Sequence, residues 1–208
     1  MPDTGWIEIV RAHGGTLSSA QIEALEQYCF LVRKWSTFAA VVSTSDLAQL
    51  ERLHIVDSLS LVPVIQARVP EGGLVLDIGS GGGFPAIPLA IALRDRRFVL
   101  MERSAKKVSL LRKAIGALGL DHVRLIHGSF PNQLPEELPQ AITARAVEKA
   151  EQLLGEILDV LPDGCTFFCQ SGDPVALVDD SVFHVEHWAD DWTASGARRG
   201  SLYLIRPR

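Results

Sequence analysis

The stretch Leu74-Val75-Leu76-Asp77-Ile78-Gly79-Ser80-Gly81-Gly82-Gly83-Phe84-Pro85 decides the fold. Its first five residues predict a buried strand, its glycines predict a sharp turn, and Pro85 suits the first turn of a helix. Because glycine has no Cβ atom, the backbone of such a turn can approach a ligand closely. The segment therefore predicts a strand, a turn and a helix that together bind a nucleotide-like ligand.

Downstream of this turn, short apolar strands alternate with amphipathic helices, which is typical of a parallel sheet built from βαβ units. We predict strands at 74–78, 97–101, 123–127, 141–144 and 166–170, and helices from Pro85, over 104–118 and over 148–160. Two final strands, at 182–188 and 201–206, are joined by a loop without a helix. They are therefore expected to pair antiparallel at the C-terminal end of an α/β, Rossmann-like, mostly parallel sheet.

Upstream of the turn the pattern is helical. Ser18 and Gln21 form a capping-box pattern that predicts a helix over about 19–38. A second helical stretch is predicted from Ser45 toward Pro63, broken once. We therefore expect an N-terminal helical extension over 1–70 and one compact catalytic domain over 71–208.

An acidic residue supports a nucleoside ligand. Glu102 ends the second predicted strand, 23 residues after Gly79, where a carboxylate can accept hydrogen bonds from both ribose hydroxyls. Two enzyme classes share this arrangement, because Gly81-Gly82-Gly83-Phe84-Pro85-Ala86 also fits the dinucleotide pattern G-x-G-x-x-A. A nicotinamide-dependent oxidoreductase is therefore an alternative.

Three features favour a methyltransferase that uses S-adenosylmethionine. Asp77 suits a cofactor that carries a sulfonium and an amine, whereas it would repel a pyrophosphate. Tyr28 and Tyr203, the only tyrosines, lack a lysine four positions later. The antiparallel final pair is more usual for methyltransferases than for dehydrogenases.

Charge and cysteine content exclude some classes. The net charge of −5 argues against a globally basic nucleic-acid binder, yet residues 94–113 carry eight basic side chains and two acidic ones. Cys29, Cys165 and Cys169 have neither disulfide-framework nor zinc-site spacing and are expected in the core, so no metal is predicted. The sequence shows no leader or membrane-span pattern, and we expect a cytoplasmic monomer.

Two longer motifs resemble one family, the small-subunit ribosomal RNA guanine-N7 methyltransferases called RsmG or GidB. Leu53-His54-Ile55-Val56-Asp57-Ser58-Leu59 is similar to the family's R-H-x-x-D-S-L, and the glycine turn continues as Pro85-Ala86-Ile87-Pro88-Leu89. The basic segment 104–112 and Ala144-Arg145-Ala146 are similar to further family segments. The resemblance implies S-adenosylmethionine as cofactor, and small-subunit ribosomal RNA or the ribosomal particle as substrate and partner.

The predicted site follows from these motifs. Cofactor binding is expected from the glycine turn and the ends of the neighbouring strands: Asp77, Gly79, Ser80, Gly81, Gly83, Phe84, Glu102, Ser129, Phe130 and Arg145. Arg145, Asp57 and His54 are the catalytic candidates, and Lys106, Lys107, Arg198 and Arg199 are the candidates for RNA binding. Guanine N7 carries a lone pair that needs no deprotonation, so alignment of the reactants would supply most of the catalysis, and Arg145 could contact guanine O6.

Several residues depart from the family pattern. The family's N-L-T is Ala40-Val41-Val42, the arginine before His54 is Leu53, and L-K-G is Gln170-Ser171-Gly172. Much of this lost set is polar or basic and would be expected to meet RNA. A degenerate methyltransferase fold that serves as a binding or assembly module is therefore a third hypothesis.

Overall fold

The computed structural model describes residues 5–39, 41–145, 150–170 and 174–208. Its helical segments are α1 (Gly5–Ala12), α2 (Ser19–Ser36), α3 (Thr44–Leu47), a π-helical segment (Glu51–Val56), α4 (Asp57–Leu59), α5 (Val62–Arg68), α6 (Ala86–Ala92), α7 (Ala105–Ala117), α8 (Ala150–Leu158), a 3-10 turn (Val175–Leu177) and α9 (Asp191–Ala194). Its strands are β1 (Leu74–Ile78), β2 (Arg97–Glu102), β3 (Val123–His127), β4 (Ala141–Ala144), β5 (Thr166–Cys169), β6 (Phe183–Trp188) and β7 (Leu202–Pro207). The predicted helix start at Glu148 and parts of three quoted motifs (Ala40, Ala146, Ser171 and Gly172) lie outside the described residues.

The strands of the described residues form one seven-stranded sheet in the order β3-β2-β1-β4-β5-β7-β6. Strands β1 to β5 pair in parallel, whereas β7 runs antiparallel to both β5 and β6. The predicted fold class is confirmed, including the C-terminal antiparallel pair. The sequence did not predict that β7 lies between β5 and β6.

The connection between β6 and β7 differs from the prediction, because it contains the short helix α9. Asp190 caps this helix by accepting a hydrogen bond from the Thr193 amide, and it also binds the Arg198 guanidinium. A four-residue helix has little stability of its own. Contacts with Arg198, which lies later in the chain, help to hold it in place, so a local pattern did not reveal it.

The helical extension packs against the sheet. The capping box at Ser18 is present, and α2 places Leu25 and Val32 in the same hydrophobic cluster as Ile87 of α6. The second predicted stretch is divided into several short segments, and Pro63 lies in the first turn of α5 rather than ending a helix. Proline suits this position because the first turn of a helix needs no backbone donor there. Among the helices that the structure describes, none has the length and apolar character needed to cross a membrane.

The sheet brings several of the predicted functional residues to the carboxyl ends of its central parallel strands. Strand β1 is buried along its whole length, and it pairs with β2 on one side and β4 on the other. The carboxyl ends of these three strands are Ile78, Glu102 and Ala144. In open α/β sheets ligands bind outside such strand ends. The candidate site therefore lies at the carboxyl ends of β1, β2 and β4.

Candidate active site

The glycine turn after β1 adopts the conformation that its sequence predicts. Gly79, Gly81 and Gly83 have φ angles of 68°, 57° and 91°, in the left-handed region where other residues are strained. The Ser80 amide donates to the Met101 carbonyl at 3.0 Å, which ties the turn to β2. The turn is thus a defined loop at the sheet edge, and its backbone is accessible to a ligand that side chains would otherwise exclude.

Asp77 presents an unsatisfied carboxylate oxygen beside this turn. Its side chain is 1% exposed, and Oδ1 accepts a hydrogen bond from the Thr143 hydroxyl at 2.7 Å. Oδ2 is buried and has no hydrogen-bond partner among the described residues. Burial raises the pKa of Asp77 to about 7, although Thr143, Ser80 and Arg145 oppose the rise. A buried carboxylate with one open oxygen is suited to a cationic or hydrogen-bond-donating ligand.

Glu102 joins the turn to the end of β2. Its Oε2 accepts from the Gly81 amide at 2.9 Å, and its Oε1 accepts from the Ser104 amide at 2.7 Å. Each carboxylate oxygen has a second lone pair. The residue is therefore held in a defined position at the place where the ribose of a bound nucleoside was predicted.

Arg145 lies just beyond β4 and contacts the helical extension. Its Nη1 donates to Asp57 Oδ2 at 2.5 Å, and its Nη2 contacts His54 Nδ1 at 2.9 Å. Its guanidinium also lies over the Phe84 ring, 5.5 Å from the ring centroid. The structure therefore brings together the three residues that were predicted as catalytic candidates.

His54 is held by groups on both ring nitrogens. Nε2 lies 3.0 Å from Asp46 Oδ2, while Nδ1 faces the Arg145 guanidinium, which can only donate. This network assigns the proton of a neutral imidazole to Nε2. Burial, reinforced by the positive charge of Arg145, lowers the pKa of His54. The ring is therefore neutral near pH 7 and accepts a hydrogen bond from Arg145.

Asp57 is a buried junction rather than an open carboxylate. Besides Arg145, it accepts a hydrogen bond from the Arg199 amide at 2.7 Å through Oδ1. It thus connects the helical extension, the end of β4 and the segment before β7. The neighbouring Ser58 donates its hydroxyl proton to the His54 carbonyl.

The two phenylalanines predicted near the cofactor lie in different surroundings. Phe84 is buried and packs against the rings of Tyr28 and His54, with centroid distances of 5.2 and 4.9 Å. Phe130 is partly buried and packs against a second hydrophobic cluster, which includes Ile78 and Met101, while its neighbour Ser129 is exposed. Phe84 thus fills the space between the extension and the turn.

The four basic residues predicted to bind RNA separate into two groups. Arg198 is 2% exposed, and its guanidinium donates to Ser60 and Asp190, so its prediction as an RNA contact is wrong. It was predicted because it lies close to the position of an arginine in the family pattern, whereas its burial depends on contacts with Ser60 after α4 and Asp190 before α9. Arg199, Lys106 and Lys107 remain at least partly accessible.

The basic run over 94–113 is also divided. Arg96 is buried against the Val69 carbonyl, and Arg97 pairs with Glu137 at the amino-terminal end of β2. Lys106 lies at the opposite edge, at the start of α7, where its Nζ donates to the Phe38 carbonyl. Only part of the basic run thus faces the candidate site, because the length of β2 separates the residues at its amino end from those that follow its carboxyl end.

Several residues of this site were not among the predicted site residues. Asp46 lies beside a predicted helix start, Thr143 lies within a predicted strand, and Tyr28 was noted only because no lysine follows it four positions later. The position of Tyr28 between Leu25 and Val32 on the buried stripe of α2 would have indicated that it packs inward. The contacts that Asp46 and Thr143 make depend on the tertiary structure.

Sheet order and site together define a Rossmann-like methyltransferase that depends on S-adenosylmethionine. The S-adenosylhomocysteine-bound methyltransferase PaMTH1 from Podospora anserina has the same fold, with a TM-score of 0.61 at 18% sequence identity over 100% of this chain and 97% of that chain.

The family follows from the sequence matches. Residues 21–175 match the family described as rRNA small subunit methyltransferase G (GidB), and this chain belongs to that family. The ribosomal RNA small subunit methyltransferase G of Chromobacterium violaceum is 30% identical over 80% of this chain and 79% of its own length. The enzyme of the same name from Methylococcus capsulatus is 32% identical over 76% of this chain and 75% of its own length. The resemblance inferred from the motifs is confirmed, and the oxidoreductase alternative is set aside.

Proposed function

We propose that this chain transfers the methyl group of S-adenosylmethionine to N7 of a guanine in small-subunit ribosomal RNA. The observation that carries the choice of atom is the arrangement around Arg145. Both residues that could serve as a general base there, Asp57 and His54, already bind its guanidinium. A ring nitrogen with an in-plane lone pair needs no base, so orientation is sufficient for attack.

The cofactor assignment rests on the glycine turn and two carboxylates. When bound, S-adenosylmethionine supplies a methyl group activated by the sulfonium. The open oxygen of Asp77 would accept a hydrogen bond from the amino group of the methionine part, and Glu102 would accept hydrogen bonds from the ribose hydroxyls. Gly79, Ser80, Gly81 and Gly83 would line the cofactor, and Ser129 and Phe130 would lie on the side of β3.

Arg145 is proposed to touch the substrate, by donating a hydrogen bond to guanine O6 while N7 stays free to attack. Asp57 and His54 are then positioning residues, because they hold the guanidinium and are themselves buried. The neutral state of His54 matters, since an imidazolium would repel Arg145 and could not accept its hydrogen bond.

The RNA is proposed to lie across Lys106, Lys107 and Arg199, with Phe38, which belongs to none of the sequence motifs, as an additional contact. The Phe38 side chain is 63% exposed, and its carbonyl binds Lys106 beside the site. Exposed aromatic rings next to cations are suited to unstacked RNA bases. A substrate in the ribosomal subunit also favours a cytoplasmic location. The expected monomeric state stays a prediction.

The function is tested with small-subunit particles from cells that lack the gene. Purified protein and S-adenosylmethionine with a labelled methyl group are expected to add one N7-methylguanosine, identified by nuclease digestion and mass spectrometry. The Glu102→Ala variant is expected to show little incorporation because it loses the ribose contact. Labelling of another atom would contradict the N7 proposal, and cofactor binding without labelling would favour a binding module.

A prediction concerns Phe38. Replacing it by alanine is expected to raise the KM for the RNA substrate about 5- to 150-fold, because stacking on one base contributes about 1–3 kcal/mol. The KM for S-adenosylmethionine is expected to stay unchanged. Steady-state methyl transfer at varied concentrations of RNA and of cofactor measures both values.

The matched control is Phe30→Ala. Phe30 belongs to the same helical extension and is 65% exposed, but it lies within α2, whereas Phe38 follows α2 and its carbonyl binds Lys106. Its replacement should leave the KM for RNA unchanged. Equal effects of the two substitutions would contradict a stacking role for Phe38.

A further inference from the structure

The helical extension contributes a buried tyrosine to the wall of the cofactor turn. Tyr28 of α2 is 0% exposed, and its hydroxyl donates a hydrogen bond to the Gly82 carbonyl. The two residues are 54 positions apart in the sequence. This contact therefore joins the extension directly to the loop that follows β1.

The surrounding packing leaves little freedom on this side of the turn. A Cβ atom at Gly83 would lie 2.5 Å from the Tyr28 hydroxyl, and one at Gly82 would lie 2.9 Å from the Val41 carbonyl. The Tyr28 ring also packs against Phe84 at a centroid distance of 5.2 Å. Three consecutive residues of the turn are thus enclosed by two segments of the extension.

The chemistry of the hydroxyl suits a permanent contact. Burial raises the pKa of Tyr28 well above 10, so the phenol stays protonated and keeps donating across the neutral range. The part-buried Gly82 carbonyl would lose this partner in a phenylalanine variant. A carbonyl left without a partner favours other conformations of the turn, in which water can reach it.

We propose that Tyr28 is a positioning residue for cofactor binding. By holding the Gly82 carbonyl and packing beside Gly83, it keeps the glycine turn in the conformation that receives S-adenosylmethionine. The extension then determines cofactor affinity as well as contributing to the RNA surface. This inference rests on the proposed placement of the cofactor at the turn.

The test is Tyr28→Phe, which removes the hydroxyl and retains the ring that packs against Phe84. We expect the KM and the calorimetric Kd for S-adenosylmethionine to rise about 5- to 10-fold, the loss of about one hydrogen bond. The KM for RNA and kcat at saturating cofactor should change less than twofold. Amide hydrogen exchange in residues 79–84 should become faster, which gives a second readout that does not depend on turnover.

Tyr203→Phe is the matched control. Tyr203 lies on β7 and packs against the His187 ring, so its hydroxyl should not influence the turn. A Kd in Tyr28→Phe equal to that of wild type would overturn the proposal, as would parallel increases in the KM values of both substrates. The cofactor placement itself fails separately, if Asp77→Ala and Glu102→Ala bind S-adenosylmethionine normally.

Discussion

Replacing Asp77 by asparagine is expected to weaken the binding of S-adenosylmethionine about 100-fold, the largest effect on affinity that we predict. Asparagine keeps the size of the side chain and a carbonyl oxygen for Thr143, but it removes the negative charge. Losing one partner of a buried, hydrogen-bonded charge pair costs about 2–5 kcal/mol. Isothermal titration calorimetry at pH 7.5 measures the change.

The same substitution should increase the stability of the ligand-free protein. Burial raises the pKa of Asp77 in the folded protein to about 7 from its ordinary value of 3.8, so the folded protein favours the protonated form. Its contribution to stability is therefore present below pH 3.8 and is lost as the pH rises toward 7. At pH 8 the ligand-free Asp77→Asn protein should be up to about 4 kcal/mol more stable than wild type. Urea unfolding at pH 8 and pH 5 should show this advantage shrink at the lower pH.

Cofactor affinity should also depend on pH through Asp77. Protonation removes the charge that the amino group needs, so wild-type affinity should fall as the pH drops from 7.5 to 5.5. Two charged groups, Arg145 and Glu102, act on Asp77. His54 also titrates, and it contacts Arg145. Asp77→Asn should therefore lose most of the dependence, leaving any part that belongs to His54. An equally steep profile in both proteins would contradict the assignment.

Asp121→Asn is a suitable control for these measurements, because Asp121 is exposed and precedes β3 at the opposite edge of the sheet. Its substitution should change neither affinity nor its pH profile. Normal binding by Asp77→Asn would exclude the carboxylate from the cofactor site.

Replacing Arg145 by lysine is expected to lower kcat about 100-fold. A lysine has a single ammonium group in place of the planar guanidinium, so it cannot reproduce the contacts to Asp57 and His54 while it also orients guanine. Loss of orientation at this level is typical when a reacting group is misplaced by about 1 Å. Single-turnover methyl transfer on ribosomal particles measures the chemical step, and the Kd for S-adenosylmethionine should change much less.

Arg145→Ala should in addition destabilise the protein by about 3 kcal/mol, because it leaves Asp57 buried without its cationic partner. Arg124→Lys provides the control, since Arg124 is exposed on β3. If Arg145→Lys retained full kcat, the proposed contact with guanine would be contradicted and the guanidinium would have only a structural role. The loss of stability in Arg145→Ala would then measure that structural role.

The parts of the fold that were predicted correctly have strong local patterns. Strand β1 is a continuous apolar run around Asp77, and the glycines that follow it are needed for their positive φ angles. The wrong predictions occur where contacts between residues far apart in the sequence determine the local structure. The helix α9 depends on Arg198, and the segments between Ser45 and Pro63 include a π-helical turn that no simple periodicity indicates.

The sequence by itself determined the fold class, the glycine turn, the two carboxylates beside it and the family, because each depends on neighbouring residues in the chain or on their regular spacing. Only the tertiary structure decided which charged groups meet. It paired Arg145 with Asp57 and His54, and it enclosed the turn with Tyr28. It also buried Arg198, away from the proposed RNA surface. Electrostatic and hydrogen-bond energies depend on distances of a few ångströms and on exclusion of water, and both arise only when separate segments pack together.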